Sequence, residues 1–364
     1  MGLLLVGVSF ASSPAAAGGA TGQVWSAFVL VAGLILVGLV ADGDGLFAGV
    51  GHRLASLAPG TGSLFVGSAA LVAVVTAVLN LDTSVLFVTP VLVHAARSRQ
   101  SATRPLLIVS ILVANAGSLL LPGSNLTNLI VFGHRHVSGG AFAARMTLPW
   151  VGALVATTAV IALIERSALG PAGTPGPRPP RPTVGLGAVA IVAAAVCVLA
   201  LPDAALPVAV IGSAAVVIRV LQHREHGPRV RAVLGLPVLL ALFGSAVALG
   251  TLGRSWSPPG TLLGHLGAPA TAGLAAVAGV VVNNLPAAAL LGARTSPHPY
   301  ALLIGLDLGP NLFVTGSLAW VLWYRTARST GAHPPLWRAV MVGAVSAPVA
   351  MVVAVVLLGV TAGS

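Results

Sequence analysis

The sequence contains little charge and almost no cysteine. Only 7% of its 364 residues are charged, and every basic residue is an arginine because no lysine occurs. The single cysteine, Cys197, cannot form an intrachain disulfide, and its place inside an apolar run favours packing over a thiol role. Without lysine the chain also lacks a Gly-Lys-Ser/Thr phosphate loop. This absence argues against a nucleotide-driven pump within this chain, although it leaves open a separate ATPase subunit as a partner.

Apolar residues dominate instead. They account for 57% of the chain and form several separate runs of about 18 residues or more, the length that a membrane-spanning helix needs. The formal net charge of +11 could indicate nucleic-acid binding, but the arginines fall almost entirely between the apolar runs, as loop residues of a membrane protein do. Composition therefore predicts an all-α polytopic protein of the plasma membrane, whose partner is the lipid bilayer and not nucleic acid.

One apolar helix is expected to break near mid-membrane, in the run LLPGSNLTNLIVFGH at residues 120–134. Pro122 removes a backbone donor and Gly123 tolerates almost any backbone angle, so the helix should stop there and restart with Ser124 as its N-cap. The restarted helix, residues 125–132, would rise about 12 Å, roughly half the hydrocarbon thickness. Irregular backbone at that depth must be buried in protein or line a wet cavity, so the break at 122–128 is a candidate solute site.

A second break is expected at residues 307–317. Gly309 and Pro310 interrupt an apolar run there, and the helix should restart near Ser317. Near the end of the restarted helix, the aromatic residues Trp320, Trp323 and Tyr324 indicate an interfacial aromatic belt.

Two apolar segments joined by a polar tip precede each break, with tips at residues 80–84 and 283–286, and we interpret each pair as a re-entrant hairpin. Hairpin and break thus occur on both sides of a proline- and glycine-rich stretch. We divide the chain into an apolar N-terminal segment that is either a poor signal sequence or a partial span (1–23), a first repeat (24–164), a cytoplasmic linker (165–183) and a second repeat (184–364).

The distribution of arginines predicts that the two repeats are inverted. If both ends of the first hairpin face the cytoplasm, most arginines fall inside the cell, and only Arg135, Arg145, Arg254 and Arg294 fall outside. The second hairpin then opens to the opposite side of the membrane. Inverted repeats of this kind underlie alternating access in many secondary transporters.

Polar residues at the tips and breaks are the candidates for solute binding: Ser124, Asn125, Thr127, Asn128, Asn283, Asn284, Asn311, Thr315 and Ser317. Their amides and hydroxyls can bind a hydroxylated solute or, equally well, cap a broken helix. Asp82 and Asp307 are the carboxylates that we place deep in the membrane, where a charge costs at least about 3 kcal/mol, and we assign them to ion or proton coupling. The histidines lack supporting cysteine or carboxylate partners, so we expect neither a metal site nor a cofactor.

Four motifs together resemble the arsenite permease branch of the ion transporter superfamily, which also contains citrate and dicarboxylate permeases. They are Asp82 with downstream Thr89 and Pro90, SNLTN at residues 124–128, VNNLP at 282–286, and DLGPN with GSLA at 307–319. The resemblance covers roughly residues 25 to 360. It implies a scaffold domain, a mobile transport domain that holds solute between tips and breaks, and a homodimer. Leu81 and Asn311 depart from the pattern, since arsenite permeases usually have Asn and Lys at these positions.

These observations lead us to expect a secondary active transporter and not an enzyme. The favoured activity is proton-coupled efflux of arsenite, antimonite or a related small inorganic oxyanion by an elevator-type mechanism. The alternative is a sodium- or proton-coupled citrate or dicarboxylate permease, although no arginine lies in either break to bind a carboxylate. A hypothesis of another class is an intramembrane aspartyl hydrolase that uses Asp82 and Asp307, but the Tyr-Asp and Gly-x-Gly-Asp signatures of such proteases are missing.

Overall fold

The computed structural model describes residues 1–132, 137–170, 185–201, 203–223 and 236–362. Every regular element in these ranges is helical, which confirms the predicted all-α class. Helices α1 to α8 are Gly2–Ser12, Pro14–Gly43, Leu46–Leu57, Thr61–Val78, Leu81–Ser98, Thr103–Gly117, Leu126–Phe132 and Gly139–Ile164. Helices α9 to α17 are Leu186–Ala200, Ala205–His223, Leu236–Ser255, Pro258–His265, Ala268–Val282, Asn284–Leu291, Pro299–Leu308, Leu318–Ser329 and Leu336–Ala362.

Six helices within the described ranges are long and apolar enough to cross a bilayer, namely α2, α4, α8, α10, α11 and α17. Several of them expose large aliphatic side chains, as a surface that faces lipid acyl chains does. Length and composition of these helices agree with the predicted polytopic membrane protein.

In the first half, α4 and α5 meet at a tip, and α6 is followed by an irregular stretch. α4 ends at Val78 and α5 begins at Leu81, so that Asn80 lies between them. After α6 the chain forms a short 3-10 turn at Pro122–Ser124 before α7 begins at Leu126. α4 packs against both α5 and α6, which places the tip beside the irregular stretch.

The second half repeats this order. α13 ends at Val282, α14 begins at Asn284, and Asn283 forms the tip between them. α15 is followed by a 3-10 turn at Gly309–Leu312, and α16 begins only at Leu318. The inverted orientation of the halves and the division into repeats stay predictions. Of the proposed linker, residues 171–183 lie outside the described residues, and α2 continues through residue 23 without interruption.

Close helix packing in the remainder of the fold depends on small residues. α2 packs along α10, and α8 packs along α17. A Cβ atom built at Gly33 of α2 would lie only 2.7 Å from the Cα atom of Ala209 in α10. The lack of a side chain at Gly33 therefore lets these two backbones approach, as is common between membrane helices.

The predicted aromatic belt in α16 is wrong for its two tryptophans. Trp320 and Trp323 are buried, with exposed fractions of 1% and 0%, whereas Tyr324 is 38% exposed. The indole of Trp320 donates to the carbonyl of Pro310 at 2.8 Å, and that of Trp323 donates to the carbonyl of Leu107 at 2.9 Å. Both tryptophans therefore join α16 to neighbouring segments, because a buried indole N–H needs an acceptor.

We expect Trp323→Phe to lower the free energy of unfolding by about 1–3 kcal/mol, since the carbonyl of Leu107 and the hydroxyl of Ser110 lose their common donor. Thermal unfolding of the detergent-solubilised protein, followed by circular dichroism, measures this change. Trp337→Phe is the matched control because Trp337 is 68% exposed. Equal effects of the two substitutions would contradict a bonding role for Trp323.

Candidate functional site

Asp307, at the end of α15, is the centre of the site. Its side chain is fully buried. One carboxylate oxygen accepts hydrogen bonds from Asn125 Nδ2 at 2.9 Å and from Thr127 Oγ1 at 2.6 Å, and the other accepts from Ser118 Oγ at 3.2 Å. Among the described residues no arginine or histidine forms an ion pair with it. All three donors belong to the first half of the chain, so this carboxylate joins the two interruptions.

A second hydrogen-bonded contact joins α6 to the second interruption. Asn115 Nδ2 donates to Asn311 Oδ1 at 2.8 Å, and Asn311 Nδ2 donates to the carbonyl of Leu112 at 3.0 Å. Asn115 and Ser118 are absent from the sequence-based candidates because they lie at the end of an apolar helix. A signal was present, since Asn-x-Gly at residues 115–117 parallels Asp-x-Gly at residues 307–309.

Ser124 and Asn128 hold the first interruption in place through hydrogen bonds within the first half of the chain. Ser124 Oγ donates to the carbonyl of Ala77 in α4 at 2.7 Å, whereas Asn128 Nδ2 donates to the carbonyls of Ser118 at 2.9 Å and Leu121 at 3.1 Å. The expectation that Ser124 caps the restarted helix is wrong. Asn125 directly precedes α7, and its side-chain oxygen accepts the backbone N–H of Thr127 at 3.4 Å.

Both tips are built around an asparagine with positive φ. Asn80 has φ 152°, and its Oδ1 accepts from the N–H of Thr83 at 2.9 Å and from the hydroxyl of Thr83 at 2.7 Å. Asn283 has φ 76°, and its Oδ1 accepts from the N–H of Leu285 at 3.3 Å. With ψ of 174° and 146°, both residues lie in a strained region that is adopted almost only by glycine, and each supplies an N-cap oxygen.

The second tip is bonded to the second interruption. Asn283 Nδ2 donates to the carbonyl of Thr315 at 3.0 Å, and the backbone N–H of Asn284 donates to the carbonyl of Gly316 at 2.8 Å. Thr315 Oγ1 donates in turn to the carbonyl of Val280 at 2.6 Å. Asn283 and Thr315 thus hold tip and interruption together.

Asp82 lies in the first turn of α5 and is 5% exposed. Its carboxylate makes no hydrogen bond or ion pair within the described part of the chain. The hydrogen bonds that surround Asp307 therefore do not extend to Asp82.

Several buried polar atoms around the tips and interruptions have no hydrogen-bond partner in the described structure: Asn80 Nδ2, Asn115 Oδ1, Asn128 Oδ1, Asn284 Oδ1 and Ser317 Oγ. Buried polar groups in native proteins nearly always find a partner, so these five atoms are candidates for contact with a bound polar solute. The described residues contain no group of three His, Cys, Asp or Glu side chains that could hold a metal ion.

We expect Asn80→Gly to be more stable than Asn80→Ala by about 1 kcal/mol. Both variants lose the capping oxygen, but alanine must adopt positive φ at a steric cost, whereas glycine adopts it freely. Thermal unfolding of the purified variants measures the difference. The same order is expected for Asn283→Gly and Asn283→Ala. An alanine variant as stable as the glycine variant would show that positive φ is not required at that tip.

Comparison with known proteins shows the family to which the chain belongs. The family model described as "Citrate transporter" matches residues 1–322. An "Arsenical pump membrane protein" of Escherichia coli is 25% identical over 338 residues, covering 82% of this chain and 78% of that protein. Its counterpart in Escherichia coli strain K12 is 27% identical over 336 residues, with the same coverage.

Among solved structures, the YdaH transporter of Alcanivorax borkumensis, described as having an unusual topology, shares this fold. It has a TM-score of 0.52 at 16% identity, and the match covers 95% of this chain and 87% of that one. The three comparisons agree with the superfamily resemblance that the tip and break motifs carry. The chain belongs to the citrate transporter family, and it is a multi-pass transport protein of the plasma membrane.

Proposed function

We propose that this protein is a secondary active permease that exports arsenite, antimonite or a related small inorganic oxyanion, with proton movement as the driving force. The observation that carries the proposal is the buried Asp307 carboxylate, held by neutral donors from the other half of the chain. The names of the two Escherichia coli relatives support the choice of solute. A permease with these relatives is favoured over a hydrolase.

The charge of the site supports a neutral or weakly charged solute. Around Asp307 the described side chains are amides and hydroxyls, and no arginine or histidine is bonded to the carboxylate. A carboxylate buried without a cation is costly, so a proton or a metal cation is expected to neutralise it when the site is closed. Arsenous acid, which carries hydroxyls and no charge at neutral pH, suits the unpartnered amide oxygens of Asn128 and Asn284.

Each candidate residue predicted from the sequence then has a role in the proposal. Asp307 takes up and releases the coupling proton, and Asp82 is a second exchangeable carboxylate near the first tip. Solute would contact Asn128, Asn284 and Ser317, whose free polar atoms are available. Asn125, Thr127 and Asn311 would position the carboxylate and the facing interruption. Ser124, Asn283 and Thr315 would hold the tips.

The transport cycle that we propose is of the elevator type. The tips and interruptions of two inverted repeats would move together, while other helices form the scaffold. Water and solute would then reach the site from one side of the membrane at a time. A homodimer would supply a fixed scaffold for this movement.

Citrate or another dicarboxylate is the second candidate, because the matching family model is described as a citrate transporter. A carboxylate solute needs compensating positive charge, and in the absence of a bonded arginine that charge would come from a sodium ion. The same amides and hydroxyls could bind carboxylate oxygens. The transported solute, measured under each ion gradient, therefore separates the two candidates.

Uptake into everted membrane vesicles tests the choice directly. Radiolabelled arsenite, succinate and citrate are offered under an imposed proton gradient or an imposed sodium gradient. We expect proton-driven arsenite uptake, lost in Asp307→Asn because the amide cannot carry a proton between the two sides. Asp203→Asn is the matched control, since Asp203 is exposed and only caps the N–H of Ala205 at the start of α10. Sodium-driven uptake of a dicarboxylate without arsenite uptake would replace the first candidate with the second.

We also expect Thr127→Val to reduce transport about tenfold, whereas Thr127→Ser retains most of it. Valine preserves the shape of the side chain but removes the hydroxyl that donates to Asp307 at 2.6 Å, and a hydrogen bond to a charged group contributes about 1.5–3 kcal/mol. Initial rates in the same vesicles, normalised to the amount of folded protein, measure the effect. Full activity of the valine variant would show that transport does not require the Thr127 hydroxyl.

A further inference from the structure

An apolar groove runs along the outer surface between α4 and α8. Its volume is about 540 Å³, and Thr158 provides the one side-chain hydroxyl among the described residues that line it. Val66 on one wall and Val155 on the other are 62% and 63% exposed, so the groove opens away from the protein. In a bilayer this opening faces the acyl chains of lipids.

The groove has the length of a single leaflet. It follows α4 from Gly62, in the first turn of the helix, to Ala73, close to the tip at Asn80. At 1.5 Å per residue this stretch measures about 17 Å, which is close to half of the roughly 30 Å hydrocarbon core. A lipid chain that enters from one membrane surface would therefore fill it.

Positive charge surrounds the surface end of the groove. Ala162 and Leu169, which line that end, flank the buried Glu165 in the chain. The Nε atoms of Arg104 and Arg338 lie 2.6 Å and 2.7 Å from its two carboxylate oxygens.

These two arginine side chains remain 46% and 39% exposed, and the adjacent Arg166 is also exposed. Arg104 and Arg338 pair with one carboxylate and Arg166 follows it in the chain, so two positive charges are in excess at this end of the groove. An anion that lies at a membrane surface next to an acyl-chain groove is most simply the phosphate of a lipid.

We propose that an anionic phospholipid occupies this groove, with an acyl chain between α4 and α8 and its phosphate against Arg104, Arg166 and Arg338. A second copy of the chain fits the surface less well. Two-fold symmetry would place the same patch of each subunit against the other and bring the arginines face to face.

Such a lipid would join three elements at one membrane surface. Arg104 begins α6, Glu165 follows α8, and Arg338 begins α17. α6 also carries Asn115 and Ser118, which contact the second interruption. The headgroup would thus stabilise the helix from which the central site is built, whatever solute that site binds.

Native mass spectrometry of the full chain tests the proposal. The detergent-solubilised protein is titrated with phosphatidylglycerol or with phosphatidylcholine of the same acyl chains. We expect phosphatidylglycerol to bind at least fivefold more tightly than phosphatidylcholine.

Arg166→Gln should weaken the binding of phosphatidylglycerol about fivefold, the factor that corresponds to about 1 kcal/mol per arginine at an anionic surface. Ala70→Leu, which fills the groove from an exposed position, should abolish binding of both lipids.

Two control variants accompany this test, and the arginines that pair with Glu165 are left unchanged. Ala214→Leu on α10 and Arg325→Gln on α16 alter exposed residues away from the groove and should bind lipid as the unmodified chain does. Arg104 and Arg338 are left intact because they compensate the buried Glu165. Equal affinity for the two lipids, or normal binding by Ala70→Leu, would overturn the proposal. Conversion of a dimer to a monomer by Ala70→Leu, with lipid binding unchanged, would overturn it in favour of a second copy.

Discussion

The hydrogen bonds that Asp307 accepts are the interaction on which the rest of the structure depends. Their donors are Ser118, Asn125 and Thr127, all from the first half of the chain. A helix interrupted inside a membrane leaves polar groups that lipid cannot satisfy, so each interruption must find its partners within the protein. Here Asp307 finds its donors at the first interruption, and Asn115 of α6 adds a bond to Asn311 of the second interruption. Neither half could keep its interruption buried without the other.

The other polar contacts of the tips and interruptions described above form within one half of the chain. Ser124 ties the first interruption to the carbonyl of Ala77 in the hairpin of its own half. Asn283 and Thr315 tie the second tip and the second interruption together in the same way. Each tip is therefore fastened to its own interruption, whereas the Asp307 and Asn311 side chains bond across the halves. Strong coupling within and between these segments suits a unit that moves as one body, as the proposed transport cycle requires.

Several charged residues outside the central site serve the ends of helices. Arg97 donates to the carbonyls of Thr330 and Gly331 at 2.8 Å each, which satisfies the C-terminal end of α16. Asp44, after α2, pairs with Arg219 of α10 and accepts the N–H of Gly187 in α9 at 2.6 Å. Placing charge at helix ends satisfies free backbone groups and keeps the costly ions near the membrane surfaces, where water can reach them. These charged residues, although few, thus lie where free backbone groups need them.

The sequence by itself determined the helical membrane class and the positions where the backbone is irregular. Apolar run length selects spanning helices, and Pro122, Gly123, Gly309 and Pro310 disfavour regular helix through their own local chemistry. Only the tertiary structure decided which polar groups meet. Thr127 and Asp307 are 180 residues apart in the chain, and no local pattern encodes such a pair. For the same reason the structure, and not the pattern, assigned the cap of α7 to Asn125 and buried Trp320 and Trp323, because partners and burial come from neighbouring helices.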